Sequence, residues 1–226
     1  MHVSIIVKIM ENHFDYEKFI RYFNFVGSNI ICPDYKIPRD FEPEIWKMAV
    51  YFYNMEEQAA KLNIKLYKGI FLNGPVGCGK TKIMEIFRYI TKDSFRMAMC
   101  RNIAFDFIES GIPIIKKYSY ESRDIENIHK PITYCFDDLG AENISAHFGN
   151  KVNVMDEILS IRYDMIWQYK MKTHATSNLN SDEIEEKYGI RLKSRFSEMF
   201  NLISFNNNAR DFRKEIDLTN NDPIQS

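Results

Sequence analysis

The sequence predicts an α/β fold in which helices cover both faces of a parallel sheet. Short apolar segments typical of buried strands alternate with longer segments whose apolar residues recur every three or four positions. A glycine-rich loop separates the first of these strands from the helix that follows it. Strands that alternate with helices pair in parallel and are buried on both sides. We therefore expect a three-layer αβα domain around a five-stranded parallel sheet.

The individual elements are predicted from apolar spacing and from helix-capping residues. Strands are expected at residues 69–72, 95–99, 132–136, 173–176 and 202–205, and helices at residues 44–62, 80–90, 102–109, 152–169 and 181–188. A further helix should begin at Asp15, reach residue 26 and end at Gly27, and the proline-containing segment that follows is predicted to be a linker or an extended arm. These predictions divide the chain into a small helical extension with its linker (1–43), the αβα domain (44–218) and a flexible tail (219–226).

Composition excludes several classes of protein. The 226 residues include 30 Lys and Arg against 31 Asp and Glu, so a uniformly basic nucleic-acid-binding coat is excluded, although a local basic patch is not. The four cysteines are widely spaced, which favours neither a zinc site nor a disulfide framework and indicates a reducing compartment. Apolar runs are far shorter than the roughly 20 residues of a membrane span. We expect a soluble, cytoplasmic protein.

The glycine-rich loop has the sequence GPVGCGKT and lies between a predicted strand and a predicted helix. In this context its backbone N–H groups and the helix N-terminus can surround the phosphates of ATP. The lysine would reach the β- and γ-phosphates, and the threonine hydroxyl would bind Mg²⁺. A cysteine this close to a helix N-terminus is expected to favour its thiolate form. The candidate ATP-binding residues are Gly74, Pro75, Val76, Gly77, Cys78, Gly79, Lys80 and Thr81.

A pair of acidic residues follows the apolar segment 132–136. Ligands bind at the carboxyl ends of parallel strands, so Asp137 and Asp138 are expected to face the same site as the glycine-rich loop. Asp137 would hold the Mg²⁺, and Asp138 would orient or deprotonate an attacking water.

Three motifs in this order, GPVGCGKT, CFDDLGAE (135–142) and ATSNL (175–179), make the chain resemble the AAA+ ATPases. The resemblance is to the helicase-loader group of DnaC and DnaI type, with which the IstB-type transposition ATPases share the pattern. Arg162-Tyr163 and RLKSRF (191–196) extend it, so that it covers roughly residues 44–213.

The resemblance implies further roles. Asn178 matches a polar sensor of the γ-phosphate, Arg195 matches an arginine finger acting on the nucleotide of a neighbouring subunit, and Arg191 is a second candidate for the finger. Arg213 matches a second sensor arginine acting in cis, with Arg210 as a substitute. Lys116 and Lys117 are candidates for contact with single-stranded DNA, where a solvated loop is the simpler interpretation.

The resemblance also implies a function: slow, assembly-dependent ATP hydrolysis in the loading of a replicative helicase, with ATP and Mg²⁺ held between self-associating subunits. Few residues follow Arg213, so no C-terminal helical lid is expected, and no cysteine cluster indicates a zinc-binding docking domain. Three alternatives stay open. One is an IstB-like helper of a transposase, and another is a P-loop kinase of small molecules, which would leave Asn178 and Arg195 without a role. The third is a scaffold that binds nucleotide without hydrolysing it.

Overall fold

A computed structural model of the chain describes residues 15–92, 94–121, 131–143, 145–147 and 150–206. Its strands are β1 (Gly69–Asn73), β2 (Arg96–Met99), β3 (Tyr134–Leu139), β4 (Ser145–His147), β5 (Asn150–Val152), β6 (Thr173–Ser177) and β7 (Phe200–Ser204). Five of them form a sheet in the order β2-β3-β6-β1-β7, and every neighbouring pair is parallel. The predicted five-stranded parallel sheet is confirmed. The short strands β4 and β5 pair antiparallel, apart from this sheet.

The helices of the described residues are α1 (Tyr16–Ile30), α2 (Glu42–Phe52), α3 (Glu56–Lys61), α4 (Lys80–Ile90), α5 (Cys100–Ser110), α6 (Ile112–Tyr118), α7 (Val154–Asp164), α8 (Ile166–Tyr169) and α9 (Ser181–Met199). A 3₁₀ turn, Arg39–Phe41, precedes α2. None of these helices combines the length and the apolar character that crossing a bilayer requires.

Two hydrophobic cores lie on opposite faces of the sheet, as the three-layer prediction requires. Side chains alternate between the two faces of a strand. In β1, Ile70 and Leu72 join the core formed with α1, α2 and α4, whereas Phe71 joins the core formed with α5, α7 and α9. Burial on both sides explains why residues 70–72 of β1 are all apolar rather than alternating.

Helix α1 packs on the same core as the sheet. Phe19 and Phe23 are buried, and their rings lie 6.2 and 5.2 Å from that of Phe87 in α4. The predicted end at Gly27 is wrong, because the helix continues to Ile30. Gly27 instead provides room: a Cβ at this position would lie 2.1 Å from Cδ1 of Tyr35. The division of the chain at residue 44 remains a prediction.

Three other predicted helices differ from the structure in extent. The predicted helix 44–62 is divided into α2 and α3, because Asn54 between them adopts a left-handed φ of 54°. The predicted helix 152–169 is likewise divided, into α7 and α8, and starts two residues later. The predicted helix 181–188 corresponds to α9, which continues to Met199. It is kinked at Gly189, because the φ of 80° at this residue is not compatible with a regular helix.

His174 in β6 is a buried histidine that belongs to the core rather than to a binding site. Its Nδ1 accepts a hydrogen bond of 2.9 Å from the backbone N–H of Ile70, which places the proton of the neutral ring on Nε2. The rings of Tyr51, Phe52 and Phe95 surround it at 5.0 to 5.7 Å. Burial, assisted by Lys172 and Arg162, lowers the pKa of His174 to about 3.

This low pKa predicts a loss of stability in acid. The unfolded chain protonates His174 near its ordinary pKa of about 6.5, whereas the folded chain does not do so until about pH 3. The contribution is therefore complete above pH 6.5 and is lost as the pH falls through this window, by up to about 1.4 kcal/mol per pH unit. The substitution His174→Asn keeps an acceptor near Nδ1 but cannot titrate. Urea unfolding from pH 7.5 to 5 should give a shallower pH dependence for this variant, and equal slopes would contradict the assignment.

Candidate functional site

The glycine-rich loop joins β1 to α4 at the carboxyl edge of the sheet. Gly79, the residue before α4, has φ 92° and ψ 13°, a left-handed conformation in which a side chain would be strained. Gly77 also has a positive φ, of 81°. The chain thereby curls back before entering the helix, and Lys80 becomes the first residue of α4. Pro75, Val76 and Cys78 complete the loop, with the side chain of Val76 exposed.

Lys80 is buried beneath this loop, with only 5% of its surface exposed. Its Nζ donates hydrogen bonds to the carbonyl oxygens of Gly74 and Pro75, at 2.8 and 2.9 Å, and to Oδ1 of Asn178. The loop that carries Asn178 is held in place by Asn73, whose Nδ2 donates to the carbonyl of Leu179 at 2.7 Å. The structure thus brings together two residues predicted from separate motifs.

Thr81 and Asp137 meet beside Lys80. The Thr81 hydroxyl donates to the Asp137 carboxylate, with distances of 3.0 Å to Oδ1 and 3.1 Å to Oδ2. The hydroxyl of Thr176 donates to the same Oδ1 at 2.7 Å. Burial raises the pKa of Asp137, and the hydrogen bonds from Thr176 and Thr81 oppose this effect. The site therefore offers an oxygen-rich pair, hydroxyl and carboxylate, of the kind that binds Mg²⁺.

Asp138 lies in a β-bulge between β3 and β6. Phe136 pairs with Ala175 and Leu139 pairs with Ser177, so both aspartates lie opposite the single residue Thr176. Asp138 has a left-handed φ of 54°, and its backbone N–H donates to the Thr176 hydroxyl at 2.9 Å. The extra residue breaks the strand alternation, which leaves Asp137 buried and Asp138 half-buried.

Thr176 is a site residue that the motif analysis did not single out. Its hydroxyl donates to the Asp137 carboxylate and accepts from the Asp138 backbone N–H, which positions that carboxylate and the bulged backbone. It lies within the ATSNL segment, two residues before the predicted sensor Asn178. Thr173, His174 and Ser177 of the same strand are also polar, so the hydroxyl of Thr176 by itself gave no distinguishing signal.

Glu142 is a second such residue. It is 2% exposed, and its carboxylate accepts hydrogen bonds from the backbone N–H of Gly140, at 2.9 Å, and from the hydroxyl of Tyr188. Lys187 donates to the Glu142 carbonyl at 2.6 Å. Burial is the main effect that raises the pKa of Tyr188, and the nearby Glu142 carboxylate raises it further. These contacts connect the turn after the acidic pair to α9, directly before its kink at Gly189.

Cys78 differs from its expected state. Burial raises the pKa of its thiol, and the nearby Lys80 only partly opposes this effect. The expected thiolate is therefore not favoured, because the side chain is 1% exposed and packs within the hydrophobic core.

The two candidate finger residues lie on the second half of α9 and differ in their surroundings. Arg195 Nη2 lies 3.5 Å from Oδ1 of Asp164, and its guanidinium lies 4.5 Å from the centre of the Tyr163 ring. Arg191 is exposed. The role of either arginine as a finger remains a prediction.

The remaining predicted residues are more distant from the site or lie outside the described residues. Lys116 and Lys117 belong to α6, so the simple loop interpretation is wrong, and Lys117 Nζ lies 5.0 Å from the centre of the Tyr118 ring. Arg210 and Arg213 lie outside the described residues. Arg162 is fully buried and donates to backbone carbonyls of residues 118, 132 and 172 and to the Thr173 hydroxyl, which makes it a structural brace.

Known structures share this architecture. The crystal structure of the DnaC helicase loader matches with a TM-score of 0.51 at 14% identity, and the match covers 75% of this chain and 92% of that one. The chain has the AAA+ P-loop fold. At this identity the likeness concerns the AAA+ fold alone.

Two other matches have lower scores. DnaI matches with a TM-score of 0.46 at 19% identity, over 70% of this chain and 84% of that one. DnaA from Aquifex aeolicus, bound to AMPPCP, matches with a TM-score of 0.45 at 18% identity, over 68% of this chain and 45% of that one. This chain therefore spans less than half of DnaA. No protein-family model and no curated protein sequence matches it.

Proposed function

We propose that this protein binds ATP with Mg²⁺ and hydrolyses the γ-phosphate. The observation that carries the proposal is the meeting of Lys80, Thr81, Asp137 and Asn178 at one edge of the sheet. Lys80 and Thr81 begin the helix after β1, Asp137 lies in β3 and Asn178 follows β6, and the hydrogen bonds described above join them. A cation and a hydroxyl at the end of the phosphate-binding loop, joined to a carboxylate and an amide from two neighbouring strands, suit phosphoryl transfer.

Each side chain has a defined role in this proposal. Lys80 exchanges the carbonyls of Gly74 and Pro75 for β- and γ-phosphate oxygens. Thr81 and Asp137 hold the Mg²⁺, which when bound neutralises charge on those oxygens. Asp138 accepts a proton from the attacking water while the bond between the γ-phosphorus and the bridging oxygen breaks. Asn178 orients the water and the γ-phosphate.

We further propose that hydrolysis serves DNA replication, with the protein acting as a loader of a replicative helicase. The fold shared with the DnaC helicase loader supports this role, since the match covers nearly the whole of that chain. The motif order described above supports it as well. In this proposal the subunits associate around the nucleotide, and Arg195 or Arg191 acts on the ATP of the neighbouring subunit. Arg213 acts as a second sensor in its own subunit.

The assignment of Asp138 predicts a specific defect in hydrolysis. The substitution Asp138→Asn removes the base but keeps the size of the side chain, and asparagine tolerates the left-handed conformation found here. Release of phosphate should fall about 100-fold or more, while the affinity for ATP stays within about twofold. Phosphate release and binding of a fluorescent ATP analogue measure the two quantities.

Asp182→Asn, at a highly exposed position of α9, is the matched control and should hydrolyse ATP normally. Unchanged turnover in Asp138→Asn would show that Asp138 is not the base. Transfer of the phosphate to a nucleoside or another small molecule, rather than its release, would support the kinase alternative.

The trans-acting arginine predicts complementation between variants. Lys80→Ala should lose ATP binding, and Arg195→Ala should retain binding but lose turnover. Mixing these two inactive proteins should restore part of the activity. At some interfaces the intact phosphate-binding loop of an Arg195→Ala subunit then meets the intact Arg195 of a Lys80→Ala subunit. Arg191→Ala, tested in the same mixtures, identifies which arginine acts. If Arg195→Ala and Arg191→Ala both turn over ATP at the normal rate, the finger proposal is wrong.

The partner is identified by affinity capture from the native host. With the full chain as bait and ATP present, a replicative helicase should co-elute, and Lys80→Ala should retain less of it. Retention of a transposase instead would replace the loader proposal with the IstB-like alternative. Capture of neither protein, by bait that still hydrolyses ATP, would contradict both roles and leave the ATPase proposal intact.

A further inference from the structure

Two exposed aromatic side chains contact each other at the edge of the sheet opposite the Lys80 site. Tyr67, just before β1, is 51% exposed, and Trp167, in α8, is 70% exposed. Their ring centres lie 6.0 Å apart with an angle of 35° between the planes. Large aromatic side chains with this much exposure have a free ring face available for a ligand.

The two segments that carry these rings are basic. Residues 61–70 contain three lysines and residues 165–174 contain two, and neither segment contains an acidic residue. Lys65 and Lys170 are exposed. We call Lys65, Tyr67, Lys68, Trp167 and Lys170 the Tyr67–Trp167 surface.

A hydrogen bond from one lysine joins the two segments, and a bond from another lysine anchors the first segment to α9. Lys172 donates from Nζ to the Leu66 carbonyl at 2.6 Å, which joins the residues after α8 to those before β1. Lys68 donates to the Ser197 carbonyl at 2.6 Å while its Nζ stays 5.9 Å from the centre of the Tyr67 ring. The rings are therefore presented by an ordered scaffold rather than by a loose loop.

Glu56 and Glu57 of α3 precede the first basic segment, and two further acidic side chains near the second segment make contacts of their own. Asp164 lies 3.5 Å from Arg195, and Glu198 accepts a hydrogen bond of 3.0 Å from the Tyr163 hydroxyl. Neither belongs to the two basic segments, so the net charge of the Tyr67–Trp167 surface is positive.

The surface is separate from the nucleotide site. Strands β1 and β6 are parallel, and the surface lies at the beginning of both, whereas the Lys80 site lies at their ends. Five residues of strand separate the two edges by about 15 Å. ATP bound at Lys80 would therefore leave this surface accessible.

We propose that the Tyr67–Trp167 surface binds a single-stranded nucleic acid. Lysines neutralise the phosphate backbone, and exposed aromatic rings stack with unpaired bases, a combination that a duplex with its bases paired does not use. This inference does not depend on the proposed ATPase activity.

The test uses the full chain and a fluorescein-labelled oligo(dT) strand. Trp167→Ala should weaken binding about tenfold or more, as the loss of a stacked base predicts, and Trp167→Phe should retain most of the affinity. Tyr89→Ala is a matched control, because Tyr89 is 59% exposed on α4, and it should bind normally. Urea unfolding of Trp167→Ala checks that the variant is folded.

Two further readouts report on the mechanism of binding. The chain contains only two tryptophans, so in Trp46→Phe the emission comes from Trp167 and should be quenched by the oligonucleotide. Lys65→Gln combined with Lys170→Gln should reduce the slope of log affinity against log salt by about 1.4, whereas Lys18→Gln on α1 should not.

Three results would overturn the proposal. The first is binding that Trp167→Ala leaves unchanged, with no quenching of Trp167. The second is binding that only Lys116→Ala and Lys117→Ala abolish, which would place the strand on α6. The third is no binding of oligo(dT) together with Trp167 quenching by poly-glutamate, which would indicate an acidic protein partner.

Discussion

The carboxylate of Asp137 is the interaction on which the candidate site depends. It is buried at the carboxyl end of β3 and accepts hydrogen bonds from Thr81 in α4 and Thr176 in β6. A buried carboxylate is costly without such partners, so the three elements are held in one relative position. The same hydroxyl of Thr176 accepts from the Asp138 backbone and stabilises the bulge. The phosphate-binding loop, the acidic pair and strand β6, which precedes Asn178, are thereby held together.

The bulge changes the relative directions of the Asp137 and Asp138 side chains. Consecutive residues of a strand point to opposite faces, so a regular β3 would direct Asp137 and Asp138 away from each other. With two residues opposite Thr176 and a left-handed Asp138, the strand breaks this alternation. Strain of this kind is often found at functional sites, and here it coincides with the residue proposed as the base.

The turn after the acidic pair provides a physical connection between the nucleotide site and α9. Gly140 and Tyr188 both donate to Glu142, and Lys187 donates to its carbonyl. The kink at Gly189 follows at once, and Arg191 and Arg195 lie beyond it. Gly140 itself must lack a side chain, because a Cβ there would lie 2.5 Å from the Leu179 side chain near Asn178. Direct contacts therefore join the turn after the acidic pair to the helix that bears the candidate fingers.

The sequence by itself determined the five parallel strands and the proximity of the phosphate loop to the acidic pair. Both follow from local features, namely apolar runs, glycines and the rule that parallel strands end at one edge. The ends of α1 and α2, the buried neutral thiol of Cys78 and the roles of Thr176 and Glu142 depend on residues distant in sequence. The same holds for the meeting of Tyr67 with Trp167, which are 100 positions apart. Only the tertiary structure decided these features, because burial and long-range hydrogen bonds override local preference.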